Sequence, residues 1–340
     1  MVEKALKKKI VLTGVTPSGD SLHLGNYFGM MKPLVELAAN PEHEVYCFLA
    51  DLHALTTIKD PEVLRHNIKN VILNYLACGV DDLEKFVFFR QSQVSEHSEL
   101  MVILGNYVGL GQMRRMHAFK DKLQKGEDEG AINMGLFNYP ILMAADILLY
   151  DADLVPVGVD QKQHVEIARD IAENLNRSVG DEGVLCLPEP LISAATGKIV
   201  GTDGERKMSK SLGNVVGIFD DYSVIEKQIM SSYTDSTRLK ATDPGHVEGN
   251  PIFVYHDLIN ENVAEVAELK ARYEAGTVGD VEVKRSLVEA HKRYFGVARA
   301  RKEKYEAETE EVARILEAGR EKATARARQT LTRVQKAVGL

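Results

Sequence analysis

Three short stretches hold residue types that could bind or activate a small molecule. The first, TPSGDSLHLGN at 16–26, follows the apolar run KKIVLTGV and leads into a helical pattern. A Gly-rich turn entering a helix presents backbone N–H groups and a partial positive charge, which suits phosphate. His23 and Asn26 add side-chain donors, and Gly25 lets a nucleotide approach the backbone closely. The spacing fits neither GxGxxG nor GxxxxGK(S/T), so the usual dinucleotide and P-loop readings fail, and an ordinary strand-to-helix turn would look similar.

The second stretch is KMSKS, Lys207 to Ser211. Two lysines three apart, with hydroxyls at Ser209 and Ser211, suit a clamp on a triphosphate where charge builds up on departing pyrophosphate. A solvated lysine loop is the plain alternative. The third, NYPILMAADILLY at 138–150, is apolar except for Asp146. As a helix it stacks Tyr139, Met143, Asp146 and Tyr150 on one face. That face could line a pocket for a flat apolar molecule carrying one donor. An Asp146 paired with a distant Arg or Lys would satisfy the same pattern, because a buried unpaired carboxylate is costly.

Alternating elements must position these stretches. Segments 8–15, 44–51, 85–91 and 153–158 are short apolar runs that predict strands. Segments such as 61–79, with Pro61 at its start and Gly79 at its end, predict helices between them. Strand–helix alternation with near-continuous apolar strands predicts an α/β fold: a doubly wound parallel sheet with helices on both faces. The alternation stops near residue 190, and beyond about 220 only helical patterns remain. The expected division is a catalytic domain at 1–215 with a helical insertion, ending in the lysine loop, and an all-helical domain at 216–340.

Composition narrows the class. The 340 residues are 44% hydrophobic and 27% charged, with no apolar run long enough to span a bilayer and no signal-peptide core after the basic N-terminus. A cytoplasmic protein is expected. Cys47, Cys78 and Cys186 are scattered without CxxC pairing, against a disulfide framework, a zinc site or an iron–sulfur cluster. The net charge is −8, yet residues 284–336 hold 15 Lys and Arg against 8 Glu. A basic end on an acidic body could hold a polyanion, with Arg320, Lys322, Arg326, Arg328 and Arg333 as candidate phosphate contacts. A salt-bridged solvent face is the other reading of that stretch.

A His-hydrophobic-Gly motif after the first strand, paired with KMSKS later in the same domain, resembles the signature of class I aminoacyl-tRNA synthetases. The first motif here is His23-Leu24-Gly25-Asn26, where His-Ile-Gly-His is usual. Over nearly its whole length the chain resembles the bacterial tryptophanyl-tRNA synthetases. The asparagine at the motif's end, YPILMAADILLY and VPVGVDQKQHVEIARDIAENLN are similar to that family, more than to the sister tyrosyl enzymes.

The resemblance implies a Rossmann-like catalytic domain, a helical anticodon-binding domain at 216–340 and the partners ATP, L-tryptophan and tRNA(Trp), in a homodimer. It implies Asp146 as acceptor for the indole N–H, which is a donor only. Met143 would pack near the ring, Tyr139 and Gln161 face the substrate ammonium, and His53 border its carboxylate. ATP contacts fall to Thr16, Pro17, Ser18, Gly25 and Asn26, with Gly158, Val159 and Asp160 around the ribose and Ile199 near adenine. Lys207, Met208, Ser209, Lys210 and Ser211 would meet the phosphates, with His23, Lys207, Lys210 and phosphate-bound Mg²⁺ stabilising charge. Relatives often carry Gln where this chain has Thr16, and Phe where it has Leu12. A tyrosyl-tRNA synthetase and a non-catalytic nucleotide- or RNA-binding paralogue are the alternative functions.

Overall fold

The structure is a computed structural model. It describes residues 8–340 apart from 20, 21, 125, 127, 129, 131, 159, 160, 193–198, 239 and 241. Five strands, β1 (Lys9–Val15), β2 (His43–Leu49), β3 (Phe86–Arg90), β4 (Leu154–Val157) and β5 (Glu189–Ile192), form one sheet in the order β3-β2-β1-β4-β5. Every pairing is parallel.

The apolar runs become strands because both sheet faces are covered. Ile10, Leu12, Tyr46, Phe48, Val87 and Phe89 point into one buried cluster. Their neighbours Val11, Val45, Cys47, Leu49, Phe86 and Phe88 point into another on the opposite face. A two-residue period with apolar side chains at both phases is what a doubly covered parallel sheet demands. The four expected strands are present. β5 is additional: Pro190 lies within it, and a strand at the sheet edge tolerates the missing N–H.

Asp60 caps the helix Pro61–Tyr75, its carboxylate accepting from the N–H groups of Glu62 (2.8 Å) and Val63 (3.3 Å). The chain continues as a π-helical turn, Leu76–Val80, in which Gly79 takes φ 112°. A second π-helical turn, Tyr27–Met31, directly follows the Leu24–Asn26 turn and precedes Pro33 in the helix Lys32–Ala39. Pro33 has no N–H to give to the preceding turn, and the wider spiral accommodates that loss.

After the sheet come the helices Tyr222–Met230, Pro251–Ile259, Val263–Glu274, Asp280–Ala307 and Thr309–Val338. The first four share a core that also holds Leu24, Phe28, Met208 and Val216. The helical lobe therefore seats both the HLGN turn and the lysine loop.

The last helix departs from the 215/216 division. Ile315 joins the cluster on one sheet face, while Ala323, Ala327, Leu331 and Val334 join the cluster on the other. Gly319 presses against Phe88 in β3, the edge strand, so closely that a Cβ there would lie 1.9 Å from the Phe88 carbonyl oxygen. An open strand edge invites foreign pairing, and this helix covers it.

The basic stretch makes contacts within the chain, although Lys322 and Arg328 remain exposed. Arg326 Nε donates to the Tyr150 carbonyl (2.6 Å), Arg333 Nε to that of Val184 (2.7 Å) and Lys322 Nζ to that of Leu83 (2.9 Å). Arg328 pairs with Glu96 at 2.9 Å and Arg320 with Glu317. These five side chains hold the helix to the body or to itself. Cys47 is a buried free thiol and Cys78 a half-buried one, and no helix among the described residues is long and apolar enough to cross a membrane.

Gly319→Ala should lower unfolding free energy by about 1–3 kcal/mol, the usual cost of forcing atoms into a packed contact. Its better helix propensity, about 1 kcal/mol, opposes only part of that loss. Urea denaturation measures it, and an unchanged midpoint would refute the tight seal at β3.

Candidate functional site

The strand order places a switch point between β1 and β4, where connections leave toward opposite sides of the sheet. Ligands of open α/β sheets bind outside the carboxyl ends of strands at such a point. Thr16, Pro17 and Ser18 follow β1, and Gly158 follows β4. Val159 and Asp160 lie outside the described residues. Buried Asn67 donates Nδ2–H to the Pro17 carbonyl at 3.2 Å, tying the loop to the helix Pro61–Tyr75. A cavity of about 230 Å³ opens here, with Thr16, Ser18, Asn26 and Lys210 in its wall.

The two motifs, 180 residues apart, meet directly. Leu24 N–H donates to Val216 O (3.0 Å) and Ile218 N–H to Leu22 O (2.9 Å), with His23 and Gly217 bridged between them. Gly25 N–H points at Met208 Sδ, 3.3 Å away. A Cβ on Gly25 would come within 3.2 Å of Met208 Cβ and 3.1 Å of the His23 ring, so the glycine permits this approach.

His23 is 5% exposed, and its Nδ1 accepts from Asn26 N–H at 3.3 Å. Burial, then the charges of Lys210 and Lys207, lower its pKa to about 4. At neutral pH the ring is therefore uncharged, with its proton on Nε2, and it offers one neutral donor.

The lysine loop is a built structure. Val200 and Lys207 form an antiparallel bridge, and Met208 N–H donates to Ile199 O at 2.8 Å. Buried Asn214 organises the turn: its Oδ1 accepts from Ser209 N–H (2.7 Å), and its Nδ2 donates to Asp203 (2.9 Å) and to Lys207 O (3.3 Å). Lys210 begins a short turn that closes at Gly213, φ 65°, and its Nζ lies beside Gly19. Ser209 and Ser211 hydroxyls bond each other at 3.0 Å. Asn214 and Asp203 are absent from the sequence reading; the signal was an Asn just past a glycine suited to a left-handed turn.

The second half of the site centres on Asp146, 1% exposed in the helix Met134–Leu148. Its partners are neither Arg nor Lys. Oδ1 accepts from Gln91 Nε2 (2.7 Å) and His97 Nδ1 (2.6 Å), and Oδ2 accepts from His53 Nε2 (2.8 Å). Gln91 cannot turn its amide over, because its Oε1 already accepts Leu52 N–H at 3.1 Å. His97 Nδ1 carries a proton, because the Asp146 carboxylate can only accept, and the Tyr150 hydroxyl meets the other ring nitrogen, Nε2, at 2.8 Å.

Burial alone would raise the Asp146 pKa, but hydrogen bonds and charge from His53 and His97 outweigh it and bring it to about 2. A carboxylate offers about four lone-pair directions. Among the described residues three are filled, and the one left is on Oδ2.

Tyr139, Met143 and Asp146 share the helix face as expected, with Tyr139 6.3 Å from the His53 ring and hydrogen-bonded to His164. Met143 is partly buried, and Gln161 is exposed at the start of the helix Lys162–Val179. His53, expected beside a substrate carboxylate, is fastened to Asp146. Gln91 and His97 escaped the sequence reading. Gln91 sits at the carboxyl end of β3, a position that could have flagged it; His97 gave no signal.

A parallel sheet of this order with two interlocked phosphate-side motifs defines a class I aminoacyl-tRNA synthetase architecture. The family model "tRNA synthetases class I (W and Y)" matches residues 4–296, and the chain belongs to that family. It is 43% identical to a tryptophan–tRNA ligase of Treponema pallidum over 333 residues, 97% of this chain and 96% of that protein. It is 41% identical over 329 residues to that of Fusobacterium nucleatum, covering 97% of each. A Campylobacter jejuni tryptophanyl-tRNA synthetase solved with ADP and tryptophan superposes with a TM-score of 0.89 at 40% identity, over 97% of this chain and all of that one.

Neutral His23 implies a titration far below the ordinary range. Histidine ring proton shifts followed by NMR should give His23 an apparent pKa near 4, and a value near 6.5 would contradict its burial between two ammonium groups. The unfolded chain binds that proton first, so His23 contributes stability that is complete above about pH 6.5 and is lost as pH falls toward 4.

Proposed function

We propose that this chain is a tryptophan–tRNA ligase that activates L-tryptophan with ATP and transfers it to tRNA(Trp). The observation that carries the substrate assignment is the buried, charged Asp146 with a single lone-pair direction unfilled among the described residues. An indole N–H is one donor in an otherwise apolar ring, and it matches that opening with Met143 against the ring. Tyr139 and Gln161 would face the substrate ammonium. His53 steadies the carboxylate from the pocket side while bordering the substrate.

In the first step a tryptophan carboxylate oxygen attacks the ATP α-phosphorus in line. The bond to the β-phosphate oxygen breaks, pyrophosphate leaves, and tryptophanyl-adenylate remains. The nucleophile is already ionised, so no protein base is required. The Thr16–Ser18 turn, Gly25 and Asn26 hold the nucleotide; Gly158, Val159 and Asp160 take the ribose and Ile199 borders adenine. Lys207, Lys210, Met208, Ser209 and Ser211 form the phosphate-side loop, whose two ammonium groups and the neutral Nε2–H of His23 meet charge developing on pyrophosphate.

Magnesium would arrive on the ATP phosphates and neutralise their charge; among the described residues no cluster of three or more His, Cys, Asp or Glu is placed to hold a metal. In the second step a terminal ribose hydroxyl of tRNA attacks the mixed anhydride and releases AMP. The helical lobe, whose core also seats both motifs, would hold the anticodon arm. We infer a homodimer; Val102 (72% exposed) and Leu110 (61%) are among the large apolar side chains left at the surface for a partner to cover. We place the reaction in the cytoplasm. No observation favours the tyrosyl or non-catalytic alternatives.

Tryptophan should support ATP–pyrophosphate exchange, with tyrosine weaker by roughly 10⁴-fold, as for sites built around a buried hydrogen bond. Asp146→Ala should erode that discrimination and lower stability by about 1–3 kcal/mol for each donor left buried and unpaired. If tyrosine is the better substrate, the pocket assignment fails. Lys210→Ala should depress kcat far more than it weakens tryptophan binding, the mark of an interaction strengthened in the transition state. A near-normal kcat would reduce the loop to a solvated surface.

A further inference from the structure

The segment that follows the Asp146 helix is gripped from outside by the last helix of the chain. Asp151 takes φ +50° and is the only non-glycine at positive φ among the described residues, a conformation that L side chains adopt at a cost. Arg333 pairs with Asp151 Oδ1, Arg326 Nη2 lies 3.8 Å from Oδ2, and Thr330 Oγ1 is 3.5 Å from Oδ2. Arg326 also donates Nε–H to the Tyr150 carbonyl at 2.6 Å. Positions 326, 330 and 333 form one stripe on the helix Thr309–Val338, so a single helix face fixes both residues.

From Tyr150 the connection runs inward. Its backbone carbonyl faces Arg326, while its fully buried ring packs 5.2 Å from Tyr46 and 5.5 Å from Phe89. Its hydroxyl meets His97 Nε2 at 2.8 Å, and His97 Nδ1 donates to Asp146 Oδ1 at 2.6 Å. The hydroxyl anchors the ring at Nε2, while the ionised carboxylate keeps a proton on Nδ1. If Tyr150 drifts, the His97 ring loses that anchor, its Nδ1–H tilts away from Oδ1, and the carboxylate is held less firmly. The unfilled lone pair on Oδ2 then no longer points in a fixed direction, and hydrogen bonds weaken steeply with misalignment.

We propose that Arg326 and Arg333 are positioning residues for amino-acid recognition: from the C-terminal helix they set Tyr150, and through Tyr150 and His97 they aim the Asp146 carboxylate. The proposal rests on Asp146 being the indole acceptor. It gives the last helix a part in substrate selection beyond covering the sheet edge.

The test is a cycle of Arg326→Met and Tyr150→Phe in the full chain, reading KM for tryptophan, KM for ATP and the thermal midpoint. Arg326→Met should raise the tryptophan KM about tenfold, within the coupling range of neighbouring residues in one network, and leave the ATP KM within about twofold. Adding it to Tyr150→Phe should have little further effect, because both break the same link. Arg326→Lys, which keeps a cationic donor near the Tyr150 carbonyl, should recover part of the loss. Additive effects, parallel rises in both KM values, or an unmoved tryptophan KM overturn the proposal. Should Arg326→Met fail to fold, Arg326→Lys and Arg333→Lys take its place in the same cycle, and an unmoved tryptophan KM in both overturns it equally. Asp146→Ala is run beside them: if it leaves the tryptophan KM unchanged, the underlying site reading fails instead.

Discussion

One buried negative charge governs half of this molecule. An isolated carboxylate at the depth of Asp146 would shed its charge, since desolvation favours the neutral acid. Here donors from three separate elements converge on it: Gln91 after β3, His97 from the helix Glu96–Leu104 and His53 from the short helix Asp51–Ala54. Each is itself held, Gln91 by Leu52 N–H and His97 by Tyr150. The charge is thus retained, oriented and left one bond short. A site in this state is complementary to one neutral donor in an apolar ring, and to little else of similar size.

The nucleotide half depends on a different constraint, close backbone approach. Gly25 allows the HLGN turn to meet Met208, and Gly201 makes room for the Asn214 amide, which a Cβ would place 2.1 Å away. The helical lobe packs Leu24, Phe28 and Met208 into its own core, so both motifs rest on that lobe. The last helix makes the complementary connection, from the far end of the chain to the segment that follows the Asp146 helix. Both lobes of the site are therefore braced by residues beyond position 215.

Much of this was legible in the sequence. Uninterrupted apolar runs predicted the parallel strands because both faces are covered, and HLGN and KMSKS, read as a pair, do meet at the end of β1. The Tyr139–Met143–Asp146 face was correct because helical periodicity is local. What stayed hidden was long-range. The donors to Asp146 lie 49 to 93 positions away, and no local pattern announces them. β5 was masked by Pro190, which the edge of the sheet tolerates. The arginines near the C-terminus suggested a polyanion, and composition could not show their contacts with the body of the chain. The small residues Gly319, Ala323 and Ala327, one turn apart, were the overlooked sign that this helix packs closely against something.

The central claim is that Asp146 offers its remaining lone pair to an indole N–H. The chain contains no Trp, so bound tryptophan is the only indole in the system and its fluorescence reports occupancy directly. The decisive measurement compares the dissociation constants of tryptophan and of its benzothiophene isostere, in which sulfur replaces N–H, for the wild type and for Asp146→Ala; calorimetry reports the non-indole ligand. A charged hydrogen bond of this kind predicts a roughly ten- to hundred-fold preference for tryptophan in the wild type, falling to near parity in the variant. Equal binding of both ligands by the wild type would contradict the account.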